Sequence, residues 1–125
     1  MRRVLLAEDD RFLRKAAEAR LRQVGFTVLT AADGEEALRL ARTESPDLVL
    51  LDLIMPKVQG FEVLEALKRD PATAAIPVIV LSNLGQEQDV QRAITLGAAA
   101  YFIKAHLSLH DMAKKVEEML GSGTA

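Results

Sequence analysis

Residues 4–10 read Val-Leu-Leu-Ala-Glu-Asp-Asp, four apolar residues running straight into three acids. Apolar side chains at consecutive rather than alternate positions suit a strand covered on both faces, the pattern of a parallel sheet. The signature returns at Leu48–Leu51 before Asp52, at Val78–Leu81 before Ser82-Asn83, and at Ala98–Ile103 before Lys104. Phe26–Ala31 carries Thr27 and Thr30 and reads as a less buried strand nearer an edge.

Helical periodicity fills the intervals. Leu13, Ala16, Ala17, Leu21 and Val24 form one stripe, stopped by Gly25. Asp33 with Glu36 resembles a capping box opening a helix through Ala37, Leu38, Leu40 and Ala41. Phe61, Leu64 and Leu67 mark a third helix before Asp70-Pro71, and Val90, Ala93 and Ile94 a shorter fourth before Gly97. Ser108 and Asp111 start a fifth, with Leu109, Met112, Ala113, Val116, Met119 and Leu120 on one side. Strict alternation of five strands and five helices gives an α/β fold, a doubly wound parallel sheet with right-handed crossovers. Ligands in such sheets bind beyond the carboxyl ends of the strands, where strand order reverses.

Composition narrows the chemistry. The chain has 125 residues, 50% of them hydrophobic and 27% charged, enough for one domain with a buried core. With 16 basic and 18 acidic residues it carries −2, so no phosphate-neutralising surface and no direct nucleic-acid contact are expected. No cysteine is present, which excludes thiol nucleophiles and thiolate zinc sites. No apolar run reaches membrane-spanning length, and Met1-Arg2-Arg3 precedes only four apolar residues, so a cytoplasmic chain without membrane contact is expected. Residues 1–120 read as one domain, with 121–125 a flexible tail or the start of a linker.

The strand ends then place Glu8, Asp9, Asp10, Asp52, Ser82 and Lys104 on one rim. Carboxylates gathered there repel. Two like charges about 4 Å apart cost roughly 4 kcal/mol at an effective dielectric of about 20. Two or three carboxylates holding a hard divalent ion, with positions left for water and phosphate oxygens, form the magnesium pattern. Lys104 and Ser82 add the positive charge and hydroxyl that phosphoryl oxygens require. Asp52, ending the central strand, is the candidate nucleophile for an aspartyl phosphate.

These residues carry a family resemblance. Val-Leu-Leu-Ala-Glu-Asp-Asp at 4–10, Asp-Leu-Ile-Met-Pro-Lys-Val-Gln-Gly at 52–60, Pro-Val-Ile-Val-Leu-Ser at 77–82 and Tyr-Phe-Ile-Lys at 101–104 together resemble the receiver domain of bacterial two-component response regulators. The likeness, to chemotaxis-type regulators, extends over about residues 2–120. It implies the flavodoxin-like strand order 2-1-3-4-5. It also implies that Asp52 accepts a phosphoryl group from the phosphohistidine of a sensor kinase or phosphotransfer protein. Asp9 and Asp52 would ligate Mg2+, with the Ile54 carbonyl, and Glu8 would act through water. Ser82 and Lys104 would contact the phosphoryl oxygens. Ser82 moving inward would let Tyr101 rotate behind it, reshaping a helix 4/strand 5/helix 5 surface for a downstream protein target or effector domain. A phosphorylation-dependent dimer is compatible with this. Asp10 reads as a helix N-cap.

Two positions depart from the family pattern. Ala105 stands where proline usually follows the lysine, often after a cis bond. A non-proline cis bond costs roughly 2.5–4 kcal/mol, so this peptide can be trans and the Lys104 loop differently placed. Asn83 replaces a tiny residue, either covering the site or adding a hydrogen bond. The resemblance implies that Ile54 and Leu84, each two residues beyond a site residue, border the path of attacking water, and their apolar side chains then predict slow self-dephosphorylation.

Three other functions fit these residues less well. A magnesium phosphohydrolase would need a general acid two residues beyond Asp52, where Ile54 stands. A flavin binder would need a Ser/Thr/Gly-rich loop after strand one, where Glu8-Asp9-Asp10 stands. A pseudo-receiver would not need the full acidic set with Ser82 and Lys104. The expected protein is thus a phosphoacceptor rather than a true enzyme, catalysing only its own phosphorylation and dephosphorylation. Its output would be a protein contact, either stand-alone or within a longer regulator. His106 and His110 fall four apart near helix five but read as surface or loop residues. Met112 and Met119 read as core, and Met55 as part of the loop after Asp52. Lys114, Lys115, Glu117 and Glu118 read as a solvated face. Gly34 and Gly60 read as turn residues, since no glycine-rich phosphate loop is present.

Overall fold

A computed structural model describes residues 2–121, and strands alternate with helices throughout. The order is β1 (Arg3–Ala7), α1 (Arg11–Gln23), β2 (Thr27–Ala31), α2 (Gly34–Glu44), β3 (Leu48–Leu51), α3 (Gly60–Arg69), β4 (Val78–Ser82), α4 (Glu87–Thr95), β5 (Ala100–Ile103) and α5 (Leu109–Leu120). The five strands form one sheet in the order β2-β1-β3-β4-β5, with every neighbouring pair parallel. This is the doubly wound arrangement expected from the alternation. The tail assigned to 121–125 falls, beyond Gly121, outside the described residues.

Side-chain alternation along each strand divides the core in two. Leu5, Ala7, Val49, Leu51, Val78 and Val80 face one way, toward Ala37 and Ala41 of α2, Val63, Leu64 and Leu67 of α3, and Ala93 of α4. Val4, Leu6, Leu48, Leu50 and Ile79 face the other, toward Ala17 and Leu21 of α1 and Met112, Ala113 and Val116 of α5. The consecutive apolar runs are therefore needed because both faces of β1, β3 and β4 are covered. Fully burying one such aliphatic side chain contributes roughly 1.5–3 kcal/mol.

Capping sets the helix starts. Asp10 accepts from the N–H groups of Phe12 (2.9 Å) and Leu13 (3.1 Å), the expected N-cap of α1. Asp33 accepts from Glu36 N–H at 2.9 Å, while the Glu36 carboxylate reaches back to Ala32 N–H at 3.0 Å, one residue before the usual capping-box partner. Ser108 caps α5 through Asp111 N–H. Gly25 follows α1 with φ of 98°, a conformation that excludes most side chains.

Several expectations need correction. The apolar run 98–103 is not all strand. Ala98 still bonds to Ala93 O at the end of α4, and β5 begins at Ala100. All four β5 residues are half-buried, because β5 lies at the sheet edge and has only β4 beside it. An apolar run reports hydrophobicity, not strand order. Met119 is 40% exposed rather than core, whereas Met112 and Met55 are buried. His106 and His110 are both exposed, as read from the sequence, and His106 lies in a single 3-10 turn (Lys104–His106) before α5, so it shares no helical face with His110. His110 instead meets Arg20 of α1, 2.7 Å away.

Candidate functional site

Strand register fixes the heights of the rim residues. Ala7 lies opposite Leu51, so Glu8 and Asp52 leave adjacent strands side by side. Asp52 N–H bonds to Ala7 O at 3.0 Å and Glu8 N–H to Ala31 O at 2.9 Å, prolonging the pairing by one step. Ser82 lies opposite Ile103, which puts Asn83 and Lys104 level just above.

Glu8 and Asp52 are buried, and Asp9 is exposed beside them. One carboxylate oxygen from each of the three lies within 4.8 Å of the others. Lys104 reaches into this group. Its Nζ is 3.0 Å from Asp52 Oδ2 and also forms an ion pair with Glu8. Ile54 donates its N–H to Asp52 Oδ1 at 3.1 Å, so both oxygens of Asp52 are engaged. The Ile54 side chain itself is 56% exposed.

One ammonium is shared here between two buried carboxylates. Burial pushes the Glu8 carboxyl up to about 7, against the pull of hydrogen bonds from Lys104 and Asp10 N–H, with the Asp52 charge adding to the rise. Burial alone would lower the Lys104 ammonium, but its hydrogen bonds to Glu8 and Asp52 and their charges raise it above the ordinary lysine value. Lys104 is thus held charged between two acids.

Ser82 is fully buried at the end of β4, and its Oγ accepts from Leu84 N–H at 3.2 Å. Tyr101 sends its hydroxyl to Leu84 O in the same loop. Burial raises the Tyr101 phenol, an interaction with the Ser82 side chain lowers it, and the charges of Asp89 and Asp52 raise it. The expected switch residues therefore touch one another through the β4–α4 loop, while Ser82 itself is turned to its own loop.

All-oxygen donors crowded this closely suit a hard divalent cation, and Glu8, Asp9 and Asp52 could hold one. Among the described residues this is the one group of potential metal ligands with that spacing. A carboxylate, an ammonium and a nearby hydroxyl provide a nucleophile and donors for phosphoryl oxygens. Comparison with known proteins agrees with this chemistry. The pattern of the response regulator receiver domain matches residues 4–117.

The chain belongs to the response regulator receiver family.

Among curated relatives of this receiver domain, the gliding motility regulatory protein of Myxococcus xanthus is 38% identical over 117 residues, covering 94% of the chain and 15% of that protein. The DNA-binding dual master transcriptional regulator RpaA of Synechocystis is 38% identical over 120 residues, covering 96% of the chain and 49% of that protein. The chain spans half or less of the length of these relatives. Among solved structures, the receiver domain of Francisella response regulator 1452 superposes with a TM-score of 0.88 at 27% identity, covering 95% of this chain and 96% of that one. The Vibrio cholerae chemotaxis protein CheY4 gives 0.87 at 27% identity, covering 94% and 98%. Receiver domains bind Mg2+ at an acidic pocket, and this one has the acids in place. No helix among the described residues is long and apolar enough to cross a membrane.

One contributor to the site was not anticipated from the sequence. Arg14, one turn into α1, donates Nη1 to Glu8 O (2.9 Å) and to Asp9 O (3.3 Å), bracing the backbone that carries both acids. A basic residue one turn past an N-cap is the only signal the sequence offers. Asn83 Oδ1 accepts from Ala105 N–H at 3.0 Å, which decides between the two roles expected for Asn83 in favour of a hydrogen bond. The described residues contain no cis peptide, so the Lys104–Ala105 bond is trans. Gly34 and Gly60 are the first residues of α2 and α3 rather than turn residues.

Proposed function

We propose that this receiver domain is a phosphorylation-activated switch whose phosphoacceptor is Asp52. The observation that carries the reading is the position of the Asp52 carboxylate, 3.0 Å from the Lys104 ammonium and grouped with the acids of Glu8 and Asp9. An Asp52 oxygen attacks the phosphorus of a phosphohistidine on a sensor kinase or phosphotransfer protein. The new P–O bond forms as the P–N bond breaks, and the electron pair returns to the donor's imidazole nitrogen. The product is an acyl phosphate, later hydrolysed by water. Glu8, Asp9 and Asp52, with the Ile54 carbonyl, would hold Mg2+, which supplies charge neutralisation to the phosphoryl oxygens.

Lys104 then exchanges an Asp52 oxygen for a phosphoryl oxygen, and Ser82 turns its hydroxyl from the Leu84 loop toward the same group. Moving Ser82 disturbs the loop that Tyr101 grips, so a charge placed on Asp52 is relayed to α4, β5 and α5. That face would meet a downstream protein target or effector domain. No nucleic-acid contact is assigned to the receiver itself, although RpaA, as a whole protein, is named as DNA-binding. Catalysis is confined to the domain's own phosphorylation and dephosphorylation, and the setting is cytoplasmic.

The test is incubation with acetyl phosphate and Mg2+ followed by intact mass measurement. Wild type is expected to gain one phosphate and Asp52→Ala none. Equal labelling of Asp52→Ala would overturn the assignment.

A further inference from the structure

The two departures from the receiver pattern meet in space. Asn83 follows Ser82, Ala105 follows Lys104, and a 3.0 Å hydrogen bond joins Ala105 N–H to Asn83 Oδ1. Proline at 105 would have no N–H to give, so this bond exists only because that residue is not proline. An amide N–H pairs only with the oxygen of the carboxamide, which fixes the orientation of the Asn83 side chain. Register makes the contact possible, because Ser82 opposite Ile103 brings the two chain segments out of the sheet at one height.

We propose that Asn83 is a positioning residue: its carboxamide ties the Ser82 loop to the Lys104 turn, so that hydroxyl and ammonium close on Asp52 as one unit. This rests on the phosphoacceptor reading of Asp52. The two tied segments are otherwise separately supported. The Ser82 loop is held by Leu84 N–H on Ser82 and by the Tyr101 hydroxyl on Leu84 O. The Lys104 turn is closed by its own Leu107 N–H to Lys104 O bond at 3.2 Å. Asn83 and Ala105 are both exposed, so the tether adds nothing to the core and its effect falls on geometry.

The measurement is the rate of phosphorylation by acetyl phosphate at saturating Mg2+, resolved into maximal rate and KM. Asn83→Ala is expected to lower the maximal rate about two- to tenfold, the range set by one neutral hydrogen bond, with thermal stability unchanged. Asn83→Asp keeps the acceptor and is expected to restore the maximal rate while raising KM for the anionic donor. Ala105→Pro removes the N–H and is expected to behave as Asn83→Ala, with the double variant no slower than the slower single one. By NMR, the Ala105 amide should exchange faster in Asn83→Ala. Wild-type rates in Asn83→Ala, unchanged Ala105 exchange, or additive losses in the double variant would each overturn the tether alone. A wild-type chain that accepts no phosphate would overturn the Asp52 reading as well.

Discussion

The Lys104 ammonium lies 3.0 Å from Asp52 Oδ2, inside the group of acids that would receive a divalent ion. Lys104 therefore both offsets carboxylate repulsion and competes with the cation. Lys104→Met is expected to tighten Mg2+ binding several-fold while slowing phosphorylation by about a hundredfold, the scale of losing one preorganised donor. Mg2+ titration and acetyl phosphate kinetics on the same variant check both halves, and weaker Mg2+ binding would contradict the competition.

In the proposed switch, water access would set the lifetime of the acyl phosphate. Ile54 is exposed next to Asp52, and Leu84 packs against the core from the Ser82 loop. Neither side chain offers water a hydrogen bond. Ile54→Asn and Leu84→Glu are each expected to speed hydrolysis about tenfold, a barrier change of about 1.4 kcal/mol. Loss of phosphate followed by mass spectrometry after removal of the donor measures this; unchanged rates in both variants and their combination would contradict it.

Gly60 sets how closely α3 approaches the chain at Asp52 and Leu53. A Cβ there would lie 2.2 Å from Leu53 Cα and 2.7 Å from Asp52 O, both backbone atoms that cannot swing away. Gly60→Ala is expected to cost about 1–3 kcal/mol in chemical denaturation, the range for overpacking, and to weaken Mg2+ binding by shifting Asp52. The affinity loss separates this from a purely global effect.

Glu8 predicts a pH dependence for the metal-free protein. Its carboxyl is raised by burial from 4.5 to about 7 in the folded chain. Between those values the folded state keeps a proton that the unfolded chain has released, so stability is full below about 4.5 and falls as pH rises through 7. Glu8→Gln, which cannot titrate, should flatten that part of the stability profile, as read by denaturant midpoints across the window.

The sequence made the layered sheet legible because both faces of β1, β3 and β4 are covered, and unbroken apolar runs have few other uses. The acids and Lys104 were legible because each follows directly on a strand, where register leaves them little freedom. Edge position was legible for β2, whose threonines interrupt the apolar run, but not for β5: β5 and β3 look alike as strings, and only pairing distinguishes them. Arg14 and the Asn83–Ala105 bond escaped for another reason. Both act through main-chain carbonyls and amides, which every residue has, so their partners carry no mark in the sequence.

The loop from Leu53 to Gln59 is seated between two helix starts. A Cβ on Gly34 would strike Val58 O at 2.0 Å, Gly60 rests on Leu53, and Gly60 N–H closes the loop on Leu53 O at 2.9 Å. A chain segment gripped at both ends has no slack to take up an inserted or deleted residue. The stretch from Asp52 to Gly60 must therefore keep its length, whereas the exposed stretch at 85–88 has room to grow or shrink. Length variation among chains of this design should accumulate on that side of the rim and spare the other.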